Sequence, residues 1–298
     1  MCYVSAWLLL SSQRSGSTWT CQALGAQPGV MCGISTPTGS EMMIKYSPGP
    51  LRKRGQTHSD VQWATWHSNI NSAFANLRKK ACNDSKDLSM QSQDQKNSFM
   101  GSHVAVGFKL MYDQVPAQLM GKFLSYVAAQ NISVVHLVRE ATVLRLASHQ
   151  QTSVAHTSNA TLAQQLHYEL MKWTDGQAVA IAVKEIEEMH VKWQLRLQMY
   201  PLIRYHYVSY ESLLGSLRSF YLAECVRSLG LHAVDEPYAQ IAASLVQLHE
   251  PTCEQRVERY HALAPFLNGT RSESACAMLA GRPLDTMTEL SLACSICF

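Results

Sequence analysis

The feature that most constrains this chain is an apolar run, Tyr3–Ser11, that ends in the serine- and glycine-rich turn Ser12-Gln13-Arg14-Ser15-Gly16-Ser17-Thr18. After the turn, Trp19–Ala26 reads as a helix closing near Gly25. Buried strand, Gly/Ser loop and helix in succession open an α/β nucleotide-binding unit. Strands separated by helices continue the pattern. Gly29–Cys32, Val104–Leu110, Ile132–Val138 and Ile203–Tyr207 (ending at Ser209) read as strands. Ile132–Val138 is apolar almost throughout, as in a strand covered on both faces. Helices are expected over Val61–Lys80, Val115–Ala129 (begun by Pro116), Ala141–Gln150, Ala178–Met199, Glu211–Leu229, Ala239–Leu248 and Glu254–Leu263. In the first of these, Trp63, Trp66, Ile70, Phe74 and Leu77 form one stripe, read as core packing.

The expectation is therefore one α/β domain over residues 1–270, a parallel sheet covered on both faces with ligands at the carboxyl ends of its strands. Residues 83–99 are polar and read as a mobile loop, and residues 271–298 as a loosely structured tail.

Composition narrows the functional classes. Of the 298 residues, 47% are hydrophobic and 16% charged, which fits a globular chain and not a disordered one. A net charge of +3 lacks the dense basic stripe of a nucleic-acid binder. No apolar run is long enough for a membrane span. The nine cysteines are an odd number, scattered through a chain large enough to dispense with staples, and Cys294-x-x-Cys297 reads as incidental. The sequons at Asn83, Asn131, Asn159 and Asn268 would permit glycosylation in a secretory lumen. There is no zinc-type ligand spacing and no G-x-S-x-G elbow.

The turn itself has what an anion cradle needs. Free backbone N–H groups and the positive end of the helix dipole converge there. Gly16 admits close backbone approach, Ser15, Ser17 and Thr18 add hydroxyls, and Arg14 adds charge. The Walker lysine is missing, as is the G-x-G-x-x-G of dinucleotide binders, so ATPase and dehydrogenase readings lose their chief motif.

Leu8-Leu9-Leu10-Ser11-Ser12-Gln13-Arg14-Ser15-Gly16-Ser17-Thr18 resembles the 5′-phosphosulfate loop of sulfotransferases that use 3′-phosphoadenosine 5′-phosphosulfate (PAPS). The likeness is nearest to bacterial enzymes that sulfate trehalose and glycolipids, and to related algal proteins. Val134-Val135-His136-Leu137-Val138-Arg139 resembles the strand whose terminal arginine holds the 3′-phosphate, with Ser148 matching its serine partner. From the residues alone, Arg139 suits a phosphate ligand or a surface salt bridge equally. Gly107-Phe108-Lys109-Leu110-Met111-Tyr112-Asp113-Gln114 is similar to the family's G-x-K-L-M-x-x-Q segment, and Tyr207-Val208-Ser209-Tyr210-Glu211-Ser212-Leu213 to its Y-E-x-L junction. The four matches keep the family's order and cover residues 3 to about 230.

The resemblance implies a three-layer, P-loop NTPase-like sulfotransferase fold that needs no metal. It implies PAPS as co-substrate and a hydroxyl acceptor on a carbohydrate or glycolipid. Cofactor contacts would come from Gln13, Arg14, Ser15, Gly16, Ser17, Thr18, Trp19, Arg139 and Ser148; Lys109 reads either as a catalytic cation at the sulfate or as an edge lysine on its strand. The family's catalytic glutamate lies in a G-E segment, but here Ile34 follows Gly33. Glu41 is the nearest carboxylate able to substitute, a solvated loop glutamate being its alternative reading. His103 and His136 are the histidines expected nearest the site, and His136, inside an apolar strand, reads first as a satisfied buried histidine. The departure at Ile34 keeps open a second reading, a PAPS-binding or scaffold protein of the same fold without turnover. The compartment is cytoplasmic for the chain as written, or the Golgi lumen if an anchor precedes it.

Overall fold

The computed structural model describes residues 3–33, 61–91, 103–115, 117–155, 176–214, 218–231, 252–257 and 260–280. Among the described residues, five strands form one sheet: β1 (Tyr3–Ser11), β2 (Val30–Cys32), β3 (His103–Met111), β4 (Ser133–Val138) and β5 (Tyr205–Ser209), in the order β2-β3-β1-β4-β5. Every pairing is parallel. The chain leaves central β1 toward β2 and β3 and later crosses to β4 and β5, which makes the carboxyl end of β1 a topological switch point.

Alternation along β1 sorts the two faces. Ala6, Leu8 and Leu10 pack with Trp66, Ile70 and Phe74 of α2 (Val61–Gln91), Phe123 of α3 (Met120–Ala129) and Trp193 of a longer helix described below. Trp7 and Leu9 face the opposite way, toward Cys21 and Leu24 of α1 (Ser17–Gly25). Gly107 of β3 is opposite Trp7, and a Cβ there would lie 2.3 Å from the indole. Only glycine admits that ring, and the ring completes the second face. The α2 stripe is core, as its spacing indicates.

A third cluster stands beside the sheet. It joins α4 (Thr142–Ala155) and α5 (Gly176–Gln198, which carries Trp193) to α7 (Cys253–Arg256), α8 (Tyr260–Leu267) and α9 (Arg271–Leu279). The remaining helix, α6 (Arg218–Ser228), covers the face on which α1 lies.

Several boundaries differ from the sequence expectation. Residues expected as a tail from Arg271 instead begin with α9, capped by Thr270, whose Oγ1 accepts from the Glu273 N–H at 3.2 Å. Ser272 is buried there and Cys276 is disulfide-bonded to Cys253. Residues 281–298 lie outside the described residues. The loop expected over residues 83–99 is helical as far as Gln91, and 92–99 lie outside the described residues. A continuous helix over Val115–Ala129 is replaced by 3-10 turns at Tyr112–Gln114 and Ala117–Leu119 before α3. Gln114 holds the first of these turns: its Oε1 accepts from the Met111 N–H at 2.9 Å and its carbonyl accepts from Trp66 Nε1 at 3.1 Å. Glu211, expected in a helix, lies in a turn because its carboxylate caps the backbone after β4. The helix expected over Ala239–Leu248 lies outside the described residues.

Candidate anion-binding site

The turn after β1 sits at the switch point. Arg14 and Gly16 have left-handed backbone, with φ of 62° and 79°. For Gly16 the sequence and the packing agree, because a Cβ would lie 2.1 Å from the Tyr210 ring. The first intrahelical bond of α1 runs from Thr20 N to Gly16 O at 3.0 Å. The N–H groups of Ser17, Thr18 and Trp19 precede it, so helix geometry leaves them available to an anion.

Three neighbouring segments hold the turn in shape. Gln13 Nε2 donates to Asp113 Oδ2 at 2.7 Å, tying the turn to the end of β3. Arg139, the residue after β4, donates from Nη1 to the Arg14 carbonyl at 3.2 Å. Arg145, in the first turns of α4, donates from Nε to the Gln13 carbonyl at 2.8 Å. Within the turn, Ser15 Oγ donates to the Ser12 carbonyl at 2.7 Å. Lys109 reaches in from β3, and its Nζ donates to Thr18 Oγ1 at 2.7 Å.

Four cationic side chains thus meet around one turn. Burial, and then the neighbouring Arg139 charge, lower the Arg14 pKa. Burial lowers that of Lys109. Burial is also the chief cause of a lowered pKa at Arg145, with Arg139 acting in the same direction and Tyr112 and Asp113 opposing it. Like charges crowded in a partly desolvated crevice favour an anionic ligand of more than one charge. Arg139 is itself buried, with its guanidinium 5.6 Å from the centre of the Tyr210 ring. Behind it, the Glu211 carboxylate accepts from the N–H groups of Glu140 and Ala141, each at 3.0 Å.

Most residues expected at the site are gathered here, with refinements. Arg14, Gly16, Ser17, Thr18, Lys109 and Arg139 surround the turn. The Ser15 hydroxyl faces inward and fixes the turn, so its side chain is structural. Trp19 packs edge-to-face on Tyr210, with ring centroids 6.2 Å apart, and supports the turn from behind. Ser148 is partly buried on α4, three residues and nearly one helical turn after Arg145. Glu41 and Ile34 lie outside the described residues. Arg145 and Tyr210 are residues whose roles at the turn the sequence left unassigned. Arg145 belongs to no motif, although its place on the Ser148 face of a helix was a usable signal.

The two histidines expected nearest the site differ in placement. His103 opens β3 beside Tyr3, ring centroids 4.8 Å apart, at the amino end of the sheet. Eight residues of strand, about 26 Å, separate that end from the turn. His136 is fully buried, between the Tyr112 hydroxyl on Nε2 and the Tyr205 hydroxyl 3.0 Å from Nδ1. Burial lowers its pKa to about 3, which keeps it neutral. Among the described residues no group of three or more His, Cys, Asp or Glu side chains could hold a metal ion. No described helix is long and apolar enough to cross a membrane.

No family model matches the chain, and no curated protein matches it. Among solved structures it is similar to a sulfotransferase domain from the curacin biosynthetic pathway, at 15% identity over 98% of each chain with a TM-score of 0.35. What the chain itself presents is a helix-flanked, all-parallel α/β sheet with a cationic turn at its switch point.

Proposed function

We propose that this chain is a PAPS-dependent sulfotransferase that transfers a sulfuryl group to a hydroxyl of a carbohydrate or glycolipid. One observation carries the reading. Arg139 and Arg145, from the end of β4 and the start of α4, bind successive carbonyls of the turn that also bears Arg14 and the free N–H groups of α1. This donor set fits a nucleotide with phosphate groups at two positions. The turn, with Gln13, Arg14, Gly16, Ser17 and Thr18, would take the 5′-phosphosulfate. Arg139 and Ser148 would take the 3′-phosphate.

PAPS supplies the sulfuryl group and leaves as the 3′,5′-bisphosphate. The chain's own task is to fix the donor in line with the acceptor and to stabilise charge on the bridging and equatorial oxygens. Lys109 suits that second task, because its ammonium already lies at the mouth of the turn on Thr18. The acceptor hydroxyl must lose a proton as its oxygen bonds to sulfur. Glu41 is the carboxylate we assign to receive it, since His103 is remote and His136 is enclosed and neutral.

Ile34, where the resembling family has glutamate, favours a second reading in which the chain binds PAPS or its product without turnover. Calorimetric titration with 3′-phosphoadenosine 5′-phosphate beside ADP tests the shared part. Binding of the bisphosphate, not matched by ADP and lost in Arg139→Ala and Arg14→Ala, is expected. Equal binding of ADP would sink both readings. Transfer of labelled sulfate to a glycan panel, abolished in Glu41→Gln, then separates them.

A further inference from the structure

We infer that this chain matures in an oxidising secretory lumen and carries N-linked glycans at Asn131 and Asn268. The first observation is covalent. Cys21 of α1 is disulfide-bonded to Cys32 of β2, and Cys253 of α7 to Cys276 of α9. Cross-links of this kind persist in oxidising compartments and are rare where glutathione and thioredoxin keep thiols reduced. Cys21, Cys253 and Cys276 are buried, which does not suit transient catalytic exchange. Cys225, by contrast, is a free buried thiol whose pKa burial raises to about 12, which leaves it inert to exchange.

The second observation concerns the sequons. Asn131-Ile132-Ser133 and Asn268-Gly269-Thr270 each meet the acceptor pattern. Both asparagines are exposed, and both stand in turns, between α3 and β4 and between α8 and α9. Asn131 has φ of 50°, a left-handed conformation asparagine tolerates better than most residues. It lies before the first residue of β4, whereas Arg139 follows the last. A glycan on Asn131 therefore projects from the end of the sheet opposite the cradle and leaves the ligand crevice open.

Ser133 supplies the third observation. It is 2% exposed, followed in β4 by Val134 and Val135, and its Oγ has no hydrogen-bond partner among the described residues. A buried, unpartnered hydroxyl costs stability and returns nothing to the fold. The hydroxyl does have a use before folding, as the third sequon position. Thr270 differs, because its hydroxyl also caps α9.

The step takes a glycan held as a lipid diphosphate. The asparagine amide nitrogen bonds to the anomeric carbon and loses one proton, the bond from that carbon to the diphosphate oxygen breaks, and the lipid diphosphate departs. The test produces the full chain in a eukaryotic host, directed into the lumen by an appended cleavable signal, and in parallel in a reducing bacterial cytosol. Mass spectrometry before and after peptide N-glycosidase reads occupancy, and thermal melting reads the fold, so the result does not depend on PAPS binding. Glycan is expected on Asn131 and Asn268, with Asn131→Gln and Asn268→Gln each removing one. Ser133→Ala should remove the Asn131 glycan and leave melting unchanged or raised. Dithiothreitol should lower the melting temperature of the lumenal product. A folded lumenal product bare at either asparagine overturns the assignment of that site. A Ser133→Ala protein that melts lower overturns the reading of its hydroxyl. A chain that folds only in the reducing cytosol, or melts alike with and without reductant, overturns the compartment.

Discussion

Arg145 Nε and the carbonyl oxygen of Gln13 are 2.8 Å apart across 132 residues of sequence. One residue along the turn, the carbonyl of Arg14 accepts from Arg139. A charged donor on each of two consecutive carbonyls fixes the path of the turn and brings both guanidinium groups to its edge. The cradle is thus assembled by the end of β4 and the start of α4 as much as by the β1 turn, and α4 belongs to the packing cluster beside the sheet.

Arg145→Ala is accordingly expected to weaken binding of 3′-phosphoadenosine 5′-phosphate by about tenfold or more, since a hydrogen bond from a charged group contributes about 1.5–3 kcal/mol. Arg145→Lys keeps the charge but loses the planar fork and the Nε donor. It should recover only part of the affinity. Calorimetric titration of the three proteins decides the matter, and a lysine variant that binds as tightly as the parent would reduce Arg145 to a point charge.

Gly16 is held against Tyr210, and replacement meets two separate obstacles. Left-handed backbone costs a non-glycine residue roughly 1 kcal/mol, and the new Cβ would also fall 2.1 Å from the ring. Gly16→Ala should therefore lower unfolding stability by about 2 kcal/mol or more, in line with overpacked sites. In a Tyr210→Ala background the same change should cost only the backbone part. Urea unfolding of the four proteins gives the coupling directly. Simple additivity would show that the ring is free to move away from the turn.

How much of this was legible beforehand follows from which interactions are local. The strand–turn–helix unit and β4 announce themselves through unbroken apolar runs, because a strand covered on both faces has no polar side to interrupt it. The cradle residues on those segments, Arg14, Gly16, Thr18 and Arg139, were identified with them. Arg145 was not, because its partner is a main-chain carbonyl that carries no sequence signature. The helix α9 escaped for another reason. Its buried residues are Ser272, Ala275 and Cys276, too small and too polar to mark a hydrophobic face, and the Cys253 link that pins it cannot be read from spacing. His136 was recognised as a buried histidine within an apolar strand, but its hydroxyl partners come from β3's following turn and from β5.

Ligand binding should be visible as stabilisation. With free bisphosphate at a hundred times its dissociation constant, the folded state gains about 2.7 kcal/mol, which for a chain of this size raises the melting temperature by several degrees. In Arg139→Ala that rise should largely vanish. Inorganic sulfate, which can occupy only one end of the site, should give a smaller rise that Arg14→Ala removes. A thermal shift of equal size in Arg139→Ala would place the ligand elsewhere.

Two buried groups on or beside β4 push stability in opposite directions with pH: Glu140, alongside Glu211 and Glu187, whose pKa values burial also raises, and His136, alongside His190 and His206, whose pKa values burial also lowers. Burial, with the nearby Glu211, raises the Glu140 pKa from 4.5 to about 7, against the lowering effects of the Tyr207 hydroxyl and Arg271. The folded state therefore holds that proton more tightly than the unfolded chain does. The Glu140 contribution is complete below the unfolded value of 4.5 and is lost as pH rises through about 7, amounting to roughly 3 kcal/mol at most. His136 acts in the reverse sense. With its pKa lowered from 6.5 to about 3, its contribution is complete above 6.5 and is lost as pH falls toward 3. Between 4.5 and 6.5 the slopes contributed by these two groups oppose each other. Glu140→Gln keeps an acceptor for Tyr207 without the charge and should lessen the loss of stability as pH rises toward 7. His136→Gln should lessen the loss of stability below 4.5. Urea midpoints measured across this range test both, and a Glu140→Gln protein that retains the parent slope near neutrality would remove Glu140 as its source.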